Sequence, residues 1–118
     1  CRYEVARTGL NEREAAEWNI PVVSSTIRSK TRAGYYPQAE DIHVRLTASK
    51  ESGRLLGGQI VGGQGAAKRI DILATAIQGE MTVAQIVDLD LGYAPPFSMP
   101  WDPVQIAARE LLNALGGE

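Results

Sequence analysis

Cysteine, histidine and phenylalanine each occur once in the 118 residues, and aromatic side chains make up only 6%. A single cysteine forms no internal disulfide, which fits a reducing, cytoplasmic setting. One cysteine with one histidine does not furnish a zinc ligand set, so no metal site is expected. Charge of either sign is not in excess: 12 lysines and arginines stand against 14 acidic residues, for a net charge of −2. That balance carries neither a nucleic-acid footprint nor a basic membrane-binding patch. No apolar run approaches the roughly 18 residues of a transmembrane helix, and no secretory signal pattern opens the chain.

What is present is a hydrophobic fraction of 44% and a length suited to one domain with one core. The chain opens at Cys1 without an initiator methionine and enters the stretch YEVARTGL almost at once. The expectation is a single domain over residues 1–118, cut from a longer protein.

Patterning along the chain predicts the elements. Val5 to Leu10 reads as a short strand. In LNEREAAEW, Asn11 and Glu14 have the spacing of a capping box, with Leu10 and Ala15 at the hydrophobic-staple positions, so a helix follows and ends before Pro21. PVVSSTIRSKTRA is β-branched and serine-rich and reads as a strand. DIHVRLTAS alternates cleanly, with Ile42, Val44, Leu46 and Ala48 on one face and His43, Arg45 and Thr47 on the other. The turn KESGR, with Gly53 as its permissive residue, returns the chain into LLGGQIVGG, making a hairpin.

GAAKRIDILATAIQGE carries a helical stripe at Ile70, Leu73, Ala74 and Ile77, with Gly79 placed as the C′ residue. Thr82 and Gln85 start a second helix by another capping box. Asp102 is placed as cap and Pro103 as first residue of a final helix, whose stripe is Val104, Ala107, Ala108, Leu111 and Leu115. The order β-α-β-β-β-α-α-loop-α lacks the alternation of a parallel sheet. The expected class is α+β: an antiparallel β-sheet with helices packed on one side.

Several features imitate chemistry. GGQIVGGQGAAKR invites comparison with a nucleotide-phosphate loop. The G-x-G-x-x-G frame from Gly63 nevertheless ends on Lys68, and a Walker A frame would need glycine where Ala67 stands. Close backbone packing explains the glycines better. His43 sits mid-strand on the polar face and reads as exposed. Asp88 and Asp90 read as a solvated acidic turn, and Cys1 has no visible activating neighbour. Arg28, Lys30 and Arg32 form a basic stripe, read as an edge strand protected by charge rather than as an anion site. No complete catalytic constellation emerges.

One segment stands apart. GYAPPFSMPWDP, residues 92–103, holds four of the six prolines together with Tyr93, Phe97 and Trp101. Proline removes an N–H and fixes φ, so this is neither helix interior nor central strand but a stiff loop carrying aromatic anchors.

Taken in order, GYYPQAEDIHVRL, SGRLLGGQIVG, GAAKRIDILATAI, MTVAQIVDLDLGYAPPFS and WDPV span nearly the whole chain. They resemble the C-terminal dimerisation domain of FAD-dependent pyridine nucleotide-disulfide oxidoreductases, in the branch of NADH oxidases and coenzyme A-disulfide reductases. The resemblance implies a cytoplasmic, bacterial, homodimeric enzyme whose FAD- and NAD(P)H-binding domains precede residue 1. It would pass electrons to a small disulfide or persulfide of the coenzyme A type, or to dioxygen. It implies that Tyr93 and Tyr35 approach the reactive cysteine of the partner subunit, with Tyr36, Pro95, Pro96, Phe97 and Trp101 at the interface. Lys68 and Arg69 are candidate contacts to a substrate phosphate. The isolated chain would bind neither FAD nor NAD(P)H and would be inactive.

The chain departs from other branches. The histidine of an H-P-T motif is missing, because Val44 follows His43, and the end LLNALGGE lacks a cysteine pair. YYPQ stands where YYPG is common. The competing expectation, from the residues alone, is a stand-alone α+β module that dimerises or binds a ligand without catalysis.

Overall fold

The computed structural model describes residues 4–30, 41–62, 69–89 and 103–116. Four strands form one antiparallel sheet: β1 (Glu4–Gly9), β2 (Val22–Lys30), β3 (Asp41–Ser49) and β4 (Leu55–Gly62), in the spatial order β1-β4-β3-β2. Helix α1 (Glu12–Glu17) joins β1 to β2, and α2 (Ile70–Gln78), α3 (Val83–Val87) and α4 (Pro103–Ala114) follow the sheet. The α+β expectation holds, element by element and in the expected order.

Strand alternation gives the sheet two unlike faces. The rows Ala6–Ile60–Val44–Ile27 and Thr8–Gly58–Leu46–Ser25 lie on one of them. Ile42, Val44, Leu46, Ala48, Leu55 and Ile60 are buried there under Leu73 and Ala76 of α2, Val83 and Ile86 of α3, and Val104, Ala107, Ala108 and Leu111 of α4. Each large side chain removed from water contributes roughly 1.5–3 kcal/mol. A register shift at Thr47/Ala48 lets Leu55 pair with Ala48 while Gly58 and Ile60 face Leu46 and Val44. This bulge turns both Leu55 and Ile60 into the same core, which strict alternation would forbid.

The opposite face carries the rows Val5–Val61–His43–Arg28, Arg7–Gln59–Arg45–Thr26 and Gly9–Gly57–Thr47–Ser24. His43 and Arg28 are exposed on it, as expected. Strand β2 is indeed an edge strand. Three helices pack on the apolar face, whereas α1 reaches the rim of the polar one, where Glu12 pairs with Arg45 and Glu14 with Arg7.

Both predicted capping boxes form. Asn11 Oδ1 accepts from the Glu14 amide at 2.8 Å, while Glu14 Oε1 accepts from the Asn11 amide at 3.0 Å. Thr82 and Gln85 exchange the equivalent pair at 3.2 and 2.9 Å. Pro103 is the first residue of α4, as placed, while its cap Asp102 lies outside the described residues.

Two details of α2 correct the sequence reading. Its fully buried residues are Leu73 and Ala76; Ala74 is half-buried, so the apolar stripe is rotated toward Ala76. Gly79 does not hold the left-handed C′ position: its φ is −84°, and Glu80 takes φ +57° instead. The amides of Glu80 and Met81 donate to the carbonyls of Ile77 and Ala76, at 3.0 and 2.9 Å. This Schellman pair fixes C′ by bonding geometry rather than by residue type. Helix α1 ends the same way on Asn19, with φ +58°.

Candidate functional site

The register of the sheet gathers the singled-out segments. Lys30 pairs with Asp41, so these two residues bracket positions 31–40, which hold Tyr35 and Tyr36. Gly62 lies opposite both Ile42 and Glu4 at that same end of the sheet, and with Arg69 it brackets positions 63–68, which include Lys68. The tight turn after β3 marks the far end. There Lys50, Glu51, Ser52 and Gly53, with Thr82, Ala84, Leu112 and Leu115, line an open cavity of about 330 Å³. Helix α4 therefore ends near the turn, and its first residue, Pro103, starts away from it.

Positions 90–102, which contain Tyr93, Pro95, Pro96, Phe97 and Trp101, are bracketed by Leu89 and Pro103. These two brackets are tied together by Gln105. This side chain is only 5% exposed, and its amide nitrogen donates to the carbonyls of Leu89 and, at 3.3 Å, of Val87. Lys30, Asp41 and Gly62 thus mark the sheet end opposite the β3–β4 turn, while Leu89 and Pro103 are held together through α4.

Tyr35, Tyr36, Lys68, Tyr93, Pro95, Pro96, Phe97 and Trp101 themselves lie outside the described residues, as do Cys1, Arg32 and Asp90. Arg69 directly precedes α2, is half-buried, and is engaged with the rest of the chain. His43 and Asp88 are exposed. Among the described residues no three metal-ligating side chains converge.

Gln105 was not singled out from the sequence. A signal for it exists: it stands seven residues before Leu112, on the border of the α4 apolar stripe, where a polar residue must find a partner.

The glycines of β4 fit protein rather than a nucleotide phosphate. A Cβ on Gly57 would stand 1.8 Å from the Leu10 carbonyl oxygen, and one on Gly58 would stand 2.5 Å from Leu73 Cδ1. Neither leaves room for a phosphate, so the close-packing reading of this run holds at both positions.

These features define an α+β domain, a four-stranded antiparallel sheet with helices, whose β4 glycines are filled by protein and form no nucleotide cradle among the described residues. Residues 1–103 match the model of the pyridine nucleotide-disulphide oxidoreductase dimerisation domain, and the chain belongs to that family. It is 35% identical over 98% of its length to an NADH oxidase of Methanocaldococcus jannaschii. It is 38% identical over 92% of its length to a CoA-dependent NAD(P)H sulfur oxidoreductase of Pyrococcus furiosus. The solved NAD-dependent persulfide reductase from A. fulgidus superposes with a TM-score of 0.93 at 43% identity, over 96% of this chain. The chain spans 25%, 24% and 21% of those three proteins respectively, about a quarter or less of each. No helix among the described residues is long and apolar enough to cross a membrane.

Proposed function

We propose that this domain builds the two-fold interface of a cytoplasmic homodimeric flavoenzyme. The enzyme takes electrons from NAD(P)H through FAD to a small disulfide or persulfide of the coenzyme A type, or to dioxygen. The observation that carries the reading is the match of residues 1–103 to the dimerisation-domain model of this family. The names of the relatives, which include sulfur, persulfide and oxygen chemistry, support the choice of acceptors.

FAD and NAD(P)H would be held by other domains of the full-length protein, where the flavin supplies two-electron transfer. The contribution of this domain is positional. Tyr93, stiffened by Pro95 and Pro96, donates its phenolic hydrogen to a cysteine thiolate of the partner subunit, and Tyr35 approaches the same group. A phenol O–H is a donor suited to a developing anion, and rigid placement lowers the ordering entropy at the reacting centre. Tyr36, Phe97 and Trp101 pack in the interface. Lys68 and Arg69 offer cations to a substrate phosphate.

The test uses the full-length enzyme. Tyr93→Phe should slow reduction of coenzyme A disulfide by about a hundred- to a thousandfold, the range typical for loss of a donor to a developing anion. Flavin reduction by NADH should stay within about twofold, because that step needs no contact with Tyr93. Equal disulfide rates in the two proteins would remove Tyr93 from the mechanism. Oxygen consumption without release of free thiol would assign dioxygen as the acceptor.

A further inference from the structure

Gln105 is a buried polar side chain with a specific task in the geometry. Helix α3 has only five residues, and its end leaves carbonyls to be satisfied. The amides of Asp88 and Leu89 donate to the carbonyls of Gln85 and Ile86, at 3.2 and 3.1 Å. The carbonyls of Val87 and Leu89 are met by the Gln105 side chain. A carboxamide NH₂ has two hydrogens for two acceptors, so the match is complete. Val104, Ala107 and Ala108 around it are fully buried, and water does not compete for these bonds.

We infer that Gln105 is a positioning residue, a clasp that fixes the start of segment 90–102 to the first turn of α4 and so sets the separation between the segment's two ends. The clasp joins residues 16 and 18 positions apart across exactly the segment that carries Tyr93. No hydrophobic contact at this place would do the same work. Apolar packing is non-directional, whereas two hydrogen bonds to the carbonyls of Val87 and Leu89 fix both register and orientation. The catalytic consequence rests on the function proposed above; the clasp itself does not. An error of an ångström in a reacting donor costs up to about a hundredfold in rate.

The experiment compares the full-length protein with Gln105→Met, which keeps the side-chain length but removes both donors. Chymotrypsin cleavage after Tyr93, Phe97 and Trp101 is followed by mass spectrometry, relative to cleavage after Trp18, which is 73% exposed and serves as internal reference. The ratio should rise about tenfold, the factor expected for local opening when two buried carbonyls lose their partners. Disulfide turnover should fall about tenfold or more while flavin reduction by NADH is retained. Leu112→Ala, which weakens α4 without touching the clasp, should leave the ratio unchanged. Where Gln105→Met does not fold, Gln105→Asn, which withdraws the donors by one methylene, should move the ratio in the same direction. An unchanged ratio overturns the clasp whatever the enzyme's substrate. A raised ratio with unchanged disulfide turnover, or an equal loss in both half-reactions, overturns its positioning role. A wild-type enzyme with no disulfide or persulfide turnover would instead defeat the proposed function, and the cleavage ratio would still decide the clasp.

Discussion

The two faces of the sheet are built from the same four strands and obey different physics. On the helix-covered face, Ile42, Val44, Leu46 and Ile60 have no exposure, and the stabilising term is apolar area removed from water. On the other face the contacts are ionic and hydrogen-bonded. Arg45 reaches Glu12 and, at 2.7 Å, the Thr26 hydroxyl, while Arg7 meets Glu14 at 2.9 Å. Those side chains remain 38 to 55% exposed, so solvent screens most of their attraction. The apolar face therefore holds the domain together. The polar face mainly tethers α1.

The polar face is not uniform, however. In its Gly9–Gly57–Thr47–Ser24 row, Gly57 is covered by the Leu10 backbone that leads into α1, and Gly9 is exposed. Thr47 is only 3% exposed and shares a 2.9 Å hydrogen bond with Ser24, and the Leu10 carbonyl crosses where a side chain on Gly57 would stand. Thr47 and Gly57 are buried at one end of this face, whereas the other end leaves Val5 73% exposed.

Substitutions can break this contrast in graded steps. The largest effect is expected for Leu46→Ala, which empties the centre of the covered face and should cost about 2–5 kcal/mol in urea unfolding. Gly57→Ala comes next, at about 1–3 kcal/mol, because the colliding atom belongs to the backbone and α1 must shift to admit a methyl group. A cost below a few tenths of a kcal/mol would mean that α1 sits loosely on the sheet. The smallest is Arg45→Ala, expected below about 1 kcal/mol, with most of it recovered as coupling in a double-mutant cycle with Glu12→Ala. If Arg45→Ala matched Leu46→Ala, the division between the two faces would be wrong.

Local signals were read well where the chemistry is local. Asn11 with Glu14 and Thr82 with Gln85 made their capping boxes because the bonding groups lie three residues apart and need nothing from elsewhere. The alternation of DIHVRLTAS fixed which face of β3 is buried, since a strand has period two whatever it pairs with. The failures were also physical. Gly79 appeared suited to the left-handed cap, but the bonds back to Ala76 and Ile77 placed that conformation on Glu80. The bulge beside Leu55 left no mark in LLGGQIVG, because it depends on register against β3.

The candidate site divides along the same line. Tyr35 and Tyr93 stand out in the sequence only through motifs and the proline run, which are properties of neighbouring residues, and both lie outside the described residues. That Lys30 and Asp41 bracket the Tyr35 segment at the sheet end opposite the β3–β4 turn followed only from the antiparallel register. The partners of Gln105 were invisible for the same reason: they are 16 and 18 residues away, brought within hydrogen-bonding reach by the packing of α3 on α4. The sequence by itself determined the elements, their order, the two capping boxes and the buried face of β3, all set by interactions over a few residues. The tertiary structure alone decided where the bulge falls, which glycines are crossed by backbone, and which polar side chain fastens the segment that bears Tyr93. Those outcomes depend on contacts between residues distant in the chain, which no local pattern encodes.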